Sequence, residues 1–326
     1  MAFQLIPSDT KIDFVRFRLV ALIISALLLA GSITAFLTIG LNFGIDFRGG
    51  VTVEVGPADG ERFDENSLTS ARGAVNNLNL GDVRVQSITN PGGEQGIVAF
   101  IEAVIDEEDG DTRQNEVASL VQAALKEVLG EDISVRRVDV VGPTVSGELV
   151  QRGVTALVVA IGLMLAYIWF RFEWQFSIGA ILALTHDVIL TIGVFAVTQL
   201  EFTLAIIAAL LTIIGYSMND TVVIYDRIRE NLRKYKQMPL KDVINLSVNQ
   251  TLGRTIMTSL TTLLAVVALF VFGGSVLRGF SFALIWGVIV GTYSTVYIAS
   301  PLLLQTGVKR DWSETGSKVD SATAPS

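Results

Sequence analysis

The sequence predicts a polytopic α-helical membrane protein of six transmembrane helices, with an α+β ferredoxin-like domain between helices 1 and 2. Three observations carry that expectation. Of the 326 residues, 51% are hydrophobic and only 17% charged, against roughly 25% charged in a soluble domain. The apolar residues gather into six blocks, each close to the roughly 20 residues that cross a bilayer. One hydrophilic stretch, residues 41–148, separates the first block from the other five, and it alternates between strand-like and helix-like patterns.

Residues 1–18 are mostly polar and read as a short N-terminal segment. The first span is 19–40. Its apolar run exceeds the core of an export signal and no small-residue cleavage pattern follows, so it reads as a retained anchor. Residues 149–306 hold the remaining five spans, at 153–170, 176–198, 202–225, 256–272 and 280–304, followed by a tail at 307–326. Helices satisfy their own backbone groups, as lipid requires. Lys and Arg set the orientation. Lys11, Arg16 and Arg18 precede the first span, and Arg171 follows the second. Seven basic residues lie between the fourth and fifth spans, and Lys309 and Arg310 follow the sixth. All four sites fall on one face, which should be cytoplasmic. Both termini are then cytoplasmic, and 41–148 is outside, in the periplasm of a bacterium. Arg278 is the exception, a basic residue in a short outer loop.

The 41–148 block carries net charge −12 and the rest of the chain +4. Within the block, "VTVEV" (51–55), "VRVQSI" (83–88), "IVAFIEAV" (97–104) and "ISVRRVDVV" (133–141) read as strands. Leu68, Ala71, Val75 and Leu78 recur at helical spacing, as do Val117, Leu120, Val121, Ala124, Leu125 and Val128. "TNPGGEQG" supplies turn residues. The order β-α-β-β-α-β is the split motif of ferredoxin-like domains, which by itself implies no function. The acidic run "DEEDGD" (106–111) lacks the length and terminal Glu of an EF-hand loop and reads as a solvated turn. "GIDFRGG" (44–50) lacks the Lys-Ser/Thr of a phosphate loop. Its Gly44, Gly49 and Gly50 suit tight turns just outside the membrane, with Asp46 and Arg48 placed to cap or pair.

Several function classes drop out. The chain has no cysteine, so disulfides, thiol chemistry and Cys-ligated zinc are excluded. His186 is the only histidine, which rules out a His-rich metal site. No cofactor or metal is implied. An acidic hydrophilic domain argues against nucleic acid. No nucleophile–base pair or nucleotide loop is present, so an enzyme is not expected.

Ionisable residues at bilayer depth are functional candidates, because burying them costs at least about 2.5 kcal/mol on insertion scales. His186 and Asp187 sit halfway along the third span, with Thr185 beside them. Asp187 is a candidate proton carrier, or a hydrogen-bonding post between helices. In the fourth span, "GYSMNDTVVIYDRIREN" (215–231) places Asn219 and Asp220 before five uncharged residues. Those residues argue that the helix continues past Asp220. One face then reads Tyr216, Asp220, Ile224 and Arg227. Gly162, Gly179, Gly193, Gly215 and the pair Gly287/Gly291 suit close helix approach.

These segments together resemble the SecD/SecF family of bacterial protein-export membrane subunits. The resemblance is carried by "GIDFRGG", "VVGPTVSGEL" with Gly142 and Pro143, and "RFEWQFSIGAILALTHDVILT". The fourth-span stretch and "QTLGRTIMTSLTTLLAVVALFVFGG" complete it, and it covers about residues 15–310. It implies a SecF-type chain that pairs with SecD in a pseudo-symmetric bundle related to resistance-nodulation-division transporters. Such a pair works beside the SecYEG channel in the inner membrane, with YajC as a further partner, and uses the proton motive force to promote export of unfolded preproteins. It further implies Asp187, Asp220 and Arg227 as the proton relay, with His186, Asn219 and Tyr216 as secondary positions. The alternatives are half of a small-molecule exporter of the same superfamily, or a passive assembly subunit of the translocase.

Overall fold

The structure, a computed structural model, describes residues 10–57, 63–89, 95–102 and 110–308. The turn between the second and third strands, the acidic run at 106–109 and the tail beyond 308 lie outside the described residues.

The chain enters its first helix through a single 3-10 turn, Phe14–Phe17, capped by Asp13, which accepts a 3.0 Å hydrogen bond from Arg16 N. Helix α1 (Arg18–Thr38) is apolar around nearly its whole circumference and buries only Ala21, Ser25 and Ala35. That is the signature of a helix solvated by lipid. A four-residue helix α2 (Ile45–Arg48) leads into the sheet domain.

The sheet domain runs β1 (Gly50–Gly56), α3 (Glu65–Asn76), β2 (Val83–Thr89), β3 (Gln95–Glu102), α4 (Gly110–Leu129) and β4 (Ser134–Val141). The sheet order is β2-β3-β1-β4, antiparallel throughout, as the split motif requires. Val51, Val53 and Val55 of β1 face Ala71, Val75, Val121 and Leu125 of the helices. The intervening Thr52 and Glu54 are also buried, so the second face of β1 is covered too. The stripe on α4 is narrower than the spacing suggests. Ala118 joins the core, whereas Leu120 and Val128 are exposed.

Five helices follow: α5 (Pro143–Arg171), α6 (Trp174–Thr198), α7 (Leu204–Lys234), α8 (Leu240–Phe272) and α9 (Gly274–Ser294). A π-helical turn at Thr295–Ala299 then joins α9 to α10 (Ser300–Thr306). Six helices, α9 and α10 counted as one, are long and apolar enough to cross a membrane. The most apolar stretches of α6, α7 and α9–α10 are 56% buried, while those of α1, α5 and α8 are 17%, 6% and 11% buried. The first three are therefore the core of the bundle and the others its outer flanks.

Three helices outrun the spans read from hydropathy. α5 starts at Pro143 rather than 153, with Gly142 as its N-cap and proline in the first turn, where its missing N–H costs nothing. α7 continues past 225 to Lys234, and α8 starts at Leu240 rather than 256. The added turns are polar on one side and packed on the other: Asn231 donates to Ser247 and Gln250 at 2.9 Å. The sixth span is interrupted. Pro301 has no N–H for the carbonyl of Tyr297, and one residue earlier the Ser300 N–H and Oγ both donate to Thr295 O, the hydroxyl at 2.9 Å.

Candidate functional site

Asp187 and Asp220 define two levels in the bundle. At 1.5 Å per helical residue, Asp187 lies about 17 Å from the sheet-domain end of α6, near mid-bilayer, and Asp220 about 24 Å from the same end of α7.

Asp187 is buried, with its exposure down to 2%. Its Oδ2 accepts from Ser217 Oγ of α7 at 2.6 Å and from Ser294 Oγ of α9 at 2.8 Å. Its Oδ1 lies 3.0 Å from His186 Nδ1. One carboxylate thus ties the three central helices together. Gly291 makes this possible: a methyl group there would stand 3.1 Å from Ser217 Cβ, so α7 and α9 approach closely enough for both serines to reach Asp187. The other His186 nitrogen, Nε2, is buried without a hydrogen bond. Thr185 turns away and donates to Ile181 O on its own helix.

Asp220 is also buried, and α7 runs on well beyond it. Its Oδ1 accepts from Thr255 Oγ1 of α8 at 2.8 Å, and its Oδ2 is buried without a hydrogen bond. Arg254, next to Thr255, is the cation that acts electrostatically on Asp220. Arg254 and Asn219 both lie on the exposed surface of the chain. Tyr216 donates to Ser259 at 3.1 Å, and Ser259 meets Thr292 of α9 at 2.8 Å. A chain of hydroxyls therefore links α7, α8 and α9 one turn from Asp220.

Arg227 is not brought to Asp220. Its Nη1 pairs with Glu230 at 2.8 Å, on the half-exposed surface. Seven residues preserve the helical face but separate the pair by about 10 Å along the axis, whereas pairs three or four residues apart are in reach. The cation near Asp220 comes from α8 instead. Arg254 was legible only as one more basic residue between spans four and five. Its signal was an isolated arginine in an otherwise uncharged stretch, "QTLGRTIMTSL".

The "GIDFRGG" segment builds the junction between the bundle and the sheet domain. Gly44 N donates to Phe202 O at 3.0 Å, and Phe202 N to Asn42 O at 2.7 Å, a short parallel bridge. Asp46 Oδ2 accepts from Leu204 N at 2.9 Å and so caps α7. Phe47 packs against Phe43 and Phe202. Gly49 and Gly50 have φ of 72° and 130°, which side-chain-bearing residues avoid. Gly44 answers a different need: a methyl group there would lie 2.6 Å from Glu201 Oε1. Glu201, missed in the sequence as one acid in a short loop, sits in the seam under the sheet. Burial raises its pKa above the ordinary glutamate value. Arg137 opposes that shift, while Asp46 and Asp139 add to it. Among the described residues no group of three or more His, Asp or Glu is placed to hold a metal ion.

Residues 120–309 match the family model for the C-terminal part of the protein export membrane protein SecD/SecF, and residues 34–57 match that for the SecD/SecF GG motif. The second match contains the "GIDFRGG" side of the junction just described. The chain is 46% identical to the protein translocase subunit SecF of Cereibacter sphaeroides, over 99% of both chains. It is 46% identical to that of Rhodobacter capsulatus, over 95% of this chain and 94% of the relative. It is also 44% identical to the protein translocase subunit SecDF of Brucella abortus, covering 99% of this chain but 41% of that longer one. Among solved structures, SecDF of Thermus thermophilus, a translocon-associated membrane protein, superimposes with a TM-score of 0.77 at 34% identity, over 92% of this chain and 39% of that one. A super-membrane-facing form of SecDF gives 0.61 at 33% identity over 94% and 39%. With family models matched over the bundle and over the junction, and identity carried through the full length, this multi-pass chain belongs to the SecD/SecF family of protein export membrane proteins.

Proposed function

We propose that the chain is a proton-motive-force-coupled subunit of the Sec preprotein translocase that promotes export of unfolded polypeptides. On this reading it acts with a SecD-type partner beside the SecYEG channel in a bacterial inner membrane. Both termini face the cytoplasm and the sheet domain the periplasm, in keeping with the basic residues on the opposite face. The observation that carries the reading is Asp220: a buried carboxylate on a membrane helix, held by one hydroxyl on Oδ1, with Oδ2 unbonded and Arg254 beside it. Protonation would remove the charge that Arg254 answers, and the α7–α8 contact would then repack. Asp187, nearer the sheet domain, holds the three core helices on which such a shift acts.

The need for a partner follows from exposure. Arg254 and Asn219 are uncovered in this chain, and an arginine at bilayer depth is expensive unless protein surrounds it. A SecD-type chain seated on α7 and α8 would cover both, and the fused SecDF relative and the SecDF structures support that pairing. The two SecDF forms resemble this chain to different degrees over nearly the same share of its length.

The test replaces Asp220 with Asn and Arg254 with Gln, confirms that the partner complex still forms, and measures preprotein export driven by a proton gradient in membrane vesicles. Loss of the gradient-driven component, with the complex intact, is expected. Normal export by both variants would leave only a passive assembly role. Sensitivity to small toxic compounds with normal secretion would point to the exporter.

A further inference from the structure

A cavity of about 250 Å³ lies between the open face of the sheet and the adjoining end of the bundle. From the sheet side it is lined by Glu54 of β1, Gln86 of β2, Phe100 of β3 and Arg137 of β4, and from the bundle side by Asp46, Glu201 and Arg278. Two direct bonds cross it from β2. Arg84 of β2 donates to Asn42 at 3.1 Å, and Arg278 of α9 donates to Thr89 O at the end of β2 at 2.7 Å. Arg278, the basic residue that broke the orientation pattern, is therefore a clamp on the sheet domain.

Glu201 is the anomalous group in this seam. The residue as a whole is half-buried, but its Oε1 is enclosed and makes no hydrogen bond. Gly44 leaves the space it occupies. The charges facing it come from every element around it: Asp46 on α2, Arg84 on β2, and Arg137 and Asp139 on β4. Glu54 and Arg278 line the same cavity. Arg137, the cation with the strongest pull, is already ion-paired with Asp139. An ionised Glu201 is thus enclosed with Asp46 and Asp139 and with no hydrogen bond to Oε1, while the two arginines that pull on it, Arg137 and Arg84, are already bonded to Asp139 and Asn42.

We propose that Glu201 is the proton-responsive contact of this seam: neutral, it lets the sheet domain seat on the bundle, and charged, it drives the domain away. The seated form buries the group and raises its pKa, and release returns it to water. Seating is therefore favoured while Glu201 is protonated and is lost as pH rises through the seated-form pKa. The proposal deepens the proton-coupled reading above by giving the sheet domain its own titrating contact, distinct from Asp187 and Asp220.

The absence of cysteine makes the test direct. Glu127 on α4 and Val197 near the end of α6 are both exposed. Replacing both with Cys and attaching spin labels to the full chain in lipid nanodiscs gives the distance between domain and bundle by pulsed electron resonance. As pH is raised from ~4, near the ordinary glutamate value, towards ~8, a second, longer distance is expected to grow in. The open-to-seated ratio should rise by up to about tenfold per pH unit. Glu201→Gln and Glu201→Ala each abolish that response and hold the short distance. An unchanging distance in the cysteine pair alone, or a pH response retained in either Glu201 variant, overturns the proposal. The measurement uses no gradient and no translocation. A missing pH response beside intact, Asp220-dependent export would remove this contact and leave the functional reading standing. The converse result would remove that reading alone.

Discussion

Ser217 of α7 donates a 2.6 Å hydrogen bond to Asp187 of α6, and the same carboxylate oxygen takes a second from Ser294 of α9. A hydrogen bond to a charged group is worth about 1.5–3 kcal/mol, and a buried acceptor left short is penalised. Ser217→Ala is therefore expected to destabilise the bundle by about that amount, read as a lower thermal unfolding midpoint in detergent. Asp187→Asn keeps an acceptor for both serines and should cost less stability. It removes the carboxylate that the three core helices share, and if that carboxylate takes part in the proton relay, gradient-driven export should fall further than stability does. An Asn variant that exports normally would make Asp187 a packing post alone.

Tyr225 is fully buried, and its hydroxyl donates to Ala299 O at 3.0 Å, inside the π-helical turn. Its ring packs edge-on against Phe172 and Phe176. Tyr225→Phe preserves the ring contacts and strips the carbonyl of that donor. The expected loss is about 1 kcal/mol, with faster amide hydrogen exchange confined to the turn and α10. Uniformly faster exchange through α7 and α9 would instead mean that the hydroxyl supports the whole core.

Asp187, Asp220 and the six spans were legible because hydropathy and charge are local properties of a helix. The four strands were legible because alternation is also local. Neighbours were not. Asp220 and Arg227 share a face in the sequence, yet the axial rise between them exceeds side-chain reach, and Thr255 and Arg254 come from a different helix. The early turns of α8 were hidden because Asn245, Ser247, Asn249 and Gln250 lower the hydropathy of residues that are nonetheless helical and packed. Glu201 carried no signal of its own. Its environment is made by Gly44, by the end of α7 and by strands far away in sequence.

Asp13 joins the N-terminal turn to the start of α8. It accepts from Asn245 at 2.8 Å and Lys241 at 3.1 Å, besides Arg16 N. The Asn245 bond first, and the Lys241 bond next, hold its pKa below the ordinary aspartate value. The junction is therefore intact at and above the usual aspartate range and is lost as pH falls through the depressed pKa. Hydrogen exchange over residues 12–17 should accelerate only on the acid side of that range. Asp13→Asn should exchange fast at every pH. A wild-type exchange rate that, after correction for intrinsic chemistry, ignores acid would mean the contact contributes no order there.

Helical glycines in this bundle divide by what stands opposite them, and the division makes opposite predictions for one substitution. A methyl group on Gly287 would collide with the Ile213 side chain, the contact at which α9 meets α7, whereas one on Gly215 would meet nothing within 4 Å. Gly162 is equally open, so two of the glycines expected to mediate close approach do not do so within this chain. Gly287→Ala forces the two core helices apart or strains Ile213, an overpacking cost of about 1–3 kcal/mol. The displacement would be felt one turn on, at Gly291 and Ser217, so the serine bonds to Asp187 should weaken with it. Gly215→Ala gains helix propensity of about 1 kcal/mol with no collision and should raise the unfolding midpoint of the isolated chain. A destabilised Gly215→Ala chain would contradict the packing described. If the substitution stabilises the isolated chain but prevents partner binding, the open space at Gly215 is where another helix comes to rest.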